Sequence, residues 1–311
     1  MVALHKRSFD DLGLSGPVLG GLSDLGYDLP TPFQQLVIPS LLARRDLFGV
    51  AATGSGRTGA FALPVIERVH RDGPTYNPTA LVLTPSREQA IKVHEEFFQL
   101  TSRGTIASAL GVFEGKPVTS QIGPLKHGVD IVVGTPARVL EHVKRRTLRI
   151  EQLKILVLTE VDQLLEAGLG RDVEAIVAET PKKTRQTIIT SGTAPLPVIS
   201  MGRQYLRDPE LVGVDREEYE SVETPAAVDG KQVNIYFGAG SKAGVTPRDL
   251  VGAMTNEGGL DGAQIGAIEI KGKFSLVAVP ASAAANVVRK MKSSRIKGRK
   301  VKIRLERFKA K

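Results

Sequence analysis

AATGSGRT, Ala51 to Thr58, follows a short apolar segment, Leu47 to Val50, and opens a helix-compatible stretch, Gly59 to Val69. A glycine-rich turn between a strand and a helix N-terminus has the form of a phosphate-cradling loop. Gly54 and Gly56 let the backbone turn its N–H groups inward, the helix dipole adds positive potential, and the Thr58 hydroxyl is placed to meet a magnesium ion. Arg57 stands where such loops carry lysine. The competing reading of the loop alone is a tight turn that holds no ligand.

Working outward, residues 1 to 207 alternate short apolar strands with longer helical stretches: Leu47–Val50, Ala80–Leu83, Ile131–Val133, Ile155–Leu158 and Thr187–Ile189. Continuous apolar strands separated by helices predict a parallel α/β sheet buried on both faces. Ligands of such sheets bind at the carboxyl ends of the strands. An acidic stretch with a Pro225-Ala-Ala run, residues 208 to 230, reads as a linker. Residues 231 to 305 then read as strand Val233–Phe237, helix Pro247–Asn256, strands Ile265–Ile270 and Phe274–Val279, helix Ala281–Lys292 and strand Lys300–Leu305. This βαββαβ order is the ferredoxin-like arrangement of RNA-recognition modules. Residues 306 to 311 form a basic tail.

The chain has 311 residues, 41% of them hydrophobic, which suffices for two cores. No segment approaches the ~20 apolar residues that a bilayer span requires, and the first residues lack the apolar core of a signal peptide; a cytoplasmic protein is expected. Cysteine is absent, which excludes disulfides and thiolate metal sites. The five histidines, His5, His70, His94, His127 and His142, show no ligand spacing and are expected at the surface, so no metal site is assigned. The net charge of +9 is concentrated: Arg289 to Lys311 holds 12 Lys and Arg against one Glu, whereas the rest of the chain holds 30 against 32 acids. Such a stretch reads as a surface for a nucleic-acid backbone, the alternative being a solvated tail.

Taken together, the strand-end motifs resemble the first RecA-like, P-loop NTPase domain of DEAD-box RNA helicases, in the family's order over about residues 8 to 200. Phe9 and GYDLPTPFQ, ending at Gln34, are similar to the Q motif. The resemblance implies that an aromatic ring stacks on adenine while the glutamine amide, donor and acceptor at once, reads its edge. AATGSGRT resembles motif I, so the resemblance assigns Thr53, Gly54, Ser55, Gly56, Arg57 and Thr58 to nucleotide phosphates. PSREQA (Pro85, Ser86, Arg87) and TPAR (Thr135, Pro136, Arg138) resemble motifs Ia and Ib. They lie at helix starts suited to an RNA backbone. TEVD, Thr159 to Asp162, occupies the place of the DEAD motif, and SGT, Ser191 to Thr193, that of SAT. The C-terminal stretches GVTPRDLVGAMTNEGGLDGAQIGAIEI, KFSLVAV and RIKGRKVKIR resemble the RRM-like domain appended to DbpA- and DeaD-type bacterial helicases. There Phe274 fits either a base-stacking ring or a core residue. Leu276 and Val279 replace rings often found in RRMs, leaving Arg295, Lys297, Arg299, Lys300, Lys302 and Arg304 to carry much of the RNA affinity.

The departures shape the functional expectation. The first acid of DEAD, which helps hold magnesium through its water shell, is here Thr159, while Glu160, aligned with the acid that positions water, and Asp162 remain. Arg57 replaces a compact ammonium with a planar fork. Each altered contact is worth ~1.5–3 kcal/mol on the scale of hydrogen bonds to charged groups. Paired glycines of the family's RNA-contact loop are replaced by Glu114-Gly115. No stretch between Thr193 and Lys231 encodes the family's second RecA-like domain with its arginine fingers, whose contribution is ~10³–10⁵ in rate. The expectation is an RNA-binding, helicase-like protein acting on structured RNA, ribosomal RNA included, with a role in ribosome assembly. ATP is its implied and weakly bound cofactor, magnesium binding is impaired, hydrolysis is weak or lost, and autonomous unwinding is absent. The alternatives are an active helicase completed by a partner chain with a second RecA-like domain, and a non-enzymatic adaptor.

Overall fold

The computed structural model describes residues 7–73, 75–102, 106–222 and 232–306, and it divides into two compact units, Met1–Thr224 and Pro225–Lys311. In the first unit, strands β1 (Leu47–Val50), β2 (Ala80–Leu83), β3 (Ala109–Val112), β4 (Ile131–Gly134), β5 (Ile155–Leu158), β6 (Gln186–Ser191) and β7 (Glu210–Val212) form one sheet. Their order is β3-β4-β2-β5-β6-β1-β7, with every neighbouring pair parallel. Side chains alternate across the pleat: Leu47, Val82, Val133 and Val157 face one apolar cluster, and Phe48, Leu83, Val132 and Leu158 the other. Both faces are therefore buried, which is why the strands read as unbroken apolar runs.

The connecting helices supply the two layers. They are α1 (Gly16–Asp24), α2 (Pro32–Leu42), α3 (Arg57–Asp72), α4 (Arg87–Ser102), α5 (Thr119–His127), α6 (Pro136–Lys144), α7 (Val161–Glu166), α8 (Gly170–Ala178), α9 (Leu196–Tyr205) and α10 (Arg216–Ser221). Side chains of α1 to α4 close over the first cluster, and those of α6 to α9 over the second. Each fully buried side chain such as Phe61, Phe97 or Ile176 contributes about 1.5–3 kcal/mol. Thr31 starts α2 with a capping box: its hydroxyl accepts from the Gln34 N–H while the Gln34 side chain accepts from the Thr31 N–H.

In this first unit two strands and one helix depart from the sequence expectation. β3 lacks a long apolar run and was not anticipated. The stretch from Asp208 is structured as far as Ser221: β7 pairs with β1, and Tyr219 of α10, 3% exposed, packs its ring 5.1 Å from that of Phe48. Tertiary packing thus overrides the acidic, linker-like composition of 208–222. Residues 223–230 of the expected linker lie outside the described residues, as do His5 and, beyond Glu306, the basic tail. Of the other histidines, His70 and His127 are exposed and His94 is half-buried. His142, expected at the surface, is fully buried and bonded to Thr147 and Gln121.

The second unit is a four-stranded antiparallel sheet of β8 (Gln232–Phe237), β9 (Ile268–Ile270), β10 (Ser275–Pro280) and β13 (Ile303–Leu305), in the order β13-β8-β10-β9. A two-stranded ribbon, β11 (Arg295–Ile296) with β12 (Arg299–Lys300), precedes the last strand. The turn at Lys297, φ 50°, and Gly298, φ 74°, joins the two ribbon strands, and Lys300 of the expected strand Lys300–Leu305 pairs in this ribbon, so that the last strand of the sheet begins only at Ile303. Helices α11 (Pro247–Asn256) and α12 (Ala281–Lys290) contribute to a core that includes Ile235, Phe237, Leu250, Met254, Val277, Val279 and Val287. The described elements follow the βαββαβ order, with α11 started by a Thr246–Asp249 capping box.

Candidate functional site

The strand order sorts the loops of the first unit into two halves. Three neighbouring strands, β5, β6 and β1, end in Thr159–Asp162, Ser191–Thr193 and the glycine-rich loop. The other three neighbours, β3, β4 and β2, end in Glu114–Gly115, Thr135–Arg138 and Pro85–Arg87.

In the first half, Gly54 (φ 85°) and Gly56 (φ 81°) adopt the left-handed conformation that shapes the loop, and α3 starts at Arg57. Thr53 and Gly54 are exposed. The loop is latched to the Q-motif segment: Thr31 Oγ1 donates to the Ser55 carbonyl at 2.7 Å, and Gln34 Nε2 donates to the Gly56 carbonyl at 3.1 Å. Gln34 is only 2% exposed, and its amide is engaged at both ends within the protein. Arg57 turns into the protein: its guanidinium Nη2 lies 3.4 Å from Glu160 Oε1, with side-chain exposures of 8% and 14%. Arg57 Nη1 and Glu160 Oε2 are buried and have no hydrogen-bond partner among the described residues. Glu160 is held in the left-handed region, φ 53° and ψ 51°, a strained conformation for a residue with a side chain.

The acids and hydroxyls around this pair are also engaged. Thr159, 5% exposed, accepts through Oγ1 from Thr190 Oγ1 at 3.0 Å. Asp162 Oδ2 accepts from both the N–H and the hydroxyl of Thr193, at 3.0 and 2.9 Å, and Oδ1 accepts from the Gln163 N–H. Partial burial pushes the Asp162 carboxyl up. Hydrogen bonds from Thr193, Gln163 and Ser191 outweigh it and hold the group below the usual carboxylate range. Glu96 of α4, hydrogen-bonded to the Thr58 hydroxyl, is pushed up to about 7 by burial. Burial, with the nearby Glu96 carboxyl adding to it, also raises the Tyr27 phenol.

Phe9 departs from expectation. It is 4% exposed and belongs to the apolar core, so its ring has no open face for a base. Tyr27, in the same Q-motif segment, is 38% exposed. Tyr27 and Glu96 were both missed by the sequence reading. Tyr27 stands in the quoted GYDLPTPFQ stretch, and Glu96 falls between Val93 and Leu100 on the apolar face of α4, where a lone acid is itself a signal.

In the second half, Ser86 caps α4 by accepting from the Gln89 N–H, and Pro85 is half-buried. The Arg87 guanidinium lies over Gly115, where a Cβ would come within 2.4 Å of its Nη1. Glu114 Oε2 accepts from Thr135 Oγ1 at 2.7 Å, beside the N-terminus of α6, where Pro136 is buried. Arg138 is turned inward, 11% exposed, donating to the Lys116 carbonyl and Gln121 Oε1 and facing Glu141 at 3.3 Å. Of this set, only Arg87 presents an exposed charge.

In the second unit, strand alternation puts Ile235 and Phe237 into the core and Tyr236 on the opposite face. Phe274 is half-buried, outside the core cluster, and stacks on Tyr236 with centroids 5.4 Å apart and planes 23° apart. The Arg304 guanidinium lies 4.3 Å from the Tyr236 ring centroid. A cation and two rings thus line one face of the sheet, and Tyr236 is the ring the sequence reading missed. Leu276 is 9% exposed and Val279 is fully buried. Lys297 pairs with Asp249 at 3.4 Å, Lys300 and Lys302 are exposed, and the side chains of Arg295 and Arg299 lie outside the described ones.

Comparison with known proteins accords with this partition. The family model for DEAD/DEAH box helicases matches residues 31–201, and that for the DbpA RNA binding domain matches residues 234–305. The chain is 39% identical over 210 residues to the ATP-dependent RNA helicase CshA of Listeria monocytogenes, covering 68% of this chain and 40% of that protein. It is 40% identical over 211 residues to the ATP-dependent RNA helicase DeaD of Haemophilus influenzae, covering 67% of this chain and 34% of that protein. It therefore matches two fifths or less of the length of these relatives. The crystal structure of a DEAD box protein from the hyperthermophile Methanococcus jannaschii superposes with a TM-score of 0.62 at 34% identity, over 66% of this chain and 55% of that one.

Proposed function

The chain belongs to the DEAD/DEAH box helicase family and carries a DbpA-type RNA-binding domain, and from that premise we propose that it binds structured RNA and adenine nucleotide but hydrolyses ATP poorly or not at all. One observation carries the loss of hydrolysis. The loop cation Arg57 and the acid Glu160, aligned with the water-positioning residue of the family, are spent on each other in a buried pair. Phosphoryl transfer depends on charges held ready for the transferring group, and this pair leaves fewer of them available. Nucleotide binding is supported by the shaped loop at the start of α3, by the open Nη1 donor of Arg57 and by the exposed Tyr27 ring, which takes over the stacking role expected of Phe9. RNA binding is supported by the Tyr236, Phe274 and Arg304 face and by the exposed Lys300 and Lys302 of the second unit. A cytoplasmic role on ribosomal RNA, in ribosome assembly, follows by analogy with the family.

The test is phosphate release by the purified full chain, with and without a hairpin RNA. No RNA-stimulated turnover is expected, while filter binding detects the RNA complex. RNA-stimulated turnover in the absence of any partner would overturn the reading. A second reading, an active helicase completed by a chain that supplies the second RecA-like domain, is favoured by the intact Asp162 to Thr193 bonds and the retained Glu160. It predicts that turnover appears when such a chain is added.

A further inference from the structure

The magnesium ion that the helicase resemblance implies does not fit the residues at the ends of β5 and β6. The position of its principal acid is the neutral Thr159, whose buried hydroxyl is bonded to Thr190. The Thr58 hydroxyl, the loop's own candidate ligand, is bonded to Glu96. Asp162 is occupied by Thr193 and Gln163. Glu160 Oε2, a buried carboxylate oxygen with no hydrogen-bond partner among the described residues, belongs to a group whose other oxygen is 3.4 Å from the Arg57 guanidinium, so a divalent cation brought there meets a fixed positive charge at close range.

The same guanidinium is what a phosphate needs. Arg57 is 8% exposed, its Nη1 donor has no partner among the described residues, and a Cβ at Gly192 would lie 3.8 Å from that nitrogen, which places it towards the end of β6. A buried, desolvated cation with an open donor beside a helix N-terminus is an anion site. We propose that this site takes a nucleoside di- or triphosphate without a divalent metal, the guanidinium of Arg57 standing where the metal's charge would otherwise be. The proposal rests on the nucleotide-binding reading above. It follows that Arg57 and Thr159 belong together. Removing the metal acid leaves phosphate charge uncompensated, and a planar fork offers paired N–H donors to phosphate oxygens where the ammonium of lysine offers a point charge. Metal-complexed nucleotide arrives with its phosphates already partly neutralised, so it gains less from Arg57 than metal-free nucleotide does.

The experiment is a fluorescence titration of the full chain with an ADP analogue and, by competition, with ATP, in buffer containing EDTA and in buffer containing excess magnesium. The expected result is a dissociation constant that magnesium leaves unchanged or raises. Arg57→Lys is expected to weaken binding in EDTA by about tenfold or more, the scale of a lost hydrogen bond to a charged group. The double variant Arg57→Lys, Thr159→Asp is expected to bind more tightly with magnesium than without, with circular dichroism melts confirming that both variants are folded. Wild-type protein that binds about tenfold more tightly with magnesium overturns the proposal while leaving the nucleotide reading intact, as does undiminished binding by folded Arg57→Lys in EDTA. Absence of binding in both buffers sinks the nucleotide reading itself and the proposal with it.

Discussion

At the scale of single residues, two exposures separate roles that the sequence placed on one ring. Phe9 is a core residue and Tyr27 an open one. Phe9→Ala is therefore expected to destabilise the first unit by about 3–5 kcal/mol, as measured by urea unfolding. Tyr27→Ala should leave the unfolding midpoint nearly unchanged and weaken nucleotide binding in a titration. The reverse pattern would return the stacking role to Phe9. Glu96 permits a second test. Its carboxyl is raised from the ordinary 4.5 to about 7, chiefly by burial, so the folded protein holds that proton more tightly than the unfolded chain. Its contribution to stability is therefore full below about pH 4.5 and is lost as the pH rises through about 7. The whole displacement corresponds to roughly 3 kcal/mol as an upper bound. Glu96→Gln cannot titrate, so its stability relative to wild type should rise across this window. Parallel stability curves for the two proteins from about pH 4 to about pH 8 would refute the assignment.

At the scale of elements, the face of the second sheet is the part most open to test. Register brings Arg304 of β13 opposite Tyr236 of β8, while Phe274, just before β10, stacks on the same ring. Stacking of a base on an aromatic ring is worth about 1–3 kcal/mol. Tyr236→Ala and Phe274→Ala should each weaken RNA binding to that extent without unfolding the unit. Unfolding of Phe274→Ala would instead return that ring to the core. Much of this was legible in the sequence, because βαββαβ is written in the strand and helix periodicities and the P-loop is written in its glycines. Tyr236 was legible too, since in QVNIYF the residues that alternate with Ile235 and Phe237 must face the other way. Others left no local mark. The engagement of Arg57 by Glu160 joins residues 103 positions apart, and the inward turn of Arg138 depends on a loop it does not adjoin in sequence. β7 and α10 were hidden because acidic composition masks a short strand whose stability comes from pairing with β1 and from the Phe48–Tyr219 contact.

At the scale of the molecule, the distribution of charge along the sequence supports the proposal that the second unit carries the larger share of RNA affinity. Arg289 to Lys311 holds 12 Lys and Arg with a single Glu, against 30 and 32 in the remainder. In the first unit the residues of the two motifs expected to contact RNA present one exposed guanidinium, Arg87, while Arg138 is turned inward and the Glu114 carboxylate accepts from the Thr135 hydroxyl. Residues 232–311 should therefore retain most of the binding of the full chain to structured RNA. The logarithm of affinity should fall with the logarithm of salt by about 0.7 per phosphate contacted on single strands and nearer 0.9 on duplex. Replacing Arg299, Lys300 and Lys302 with alanine should weaken binding broadly across RNAs and flatten that slope. The choice of N-terminal half decides whether the comparison is fair. A piece ending at residue 207 loses β7 and Tyr219, which exposes β1 as a sheet edge and uncovers Phe48, and is expected to aggregate. A piece ending at residue 222 keeps both. In filter binding, a soluble 1–222 half that held hairpin RNA as tightly as the full chain, beside a 232–311 half that did not, would move the RNA site to the first unit and require Arg138 or Glu114 to rearrange on binding.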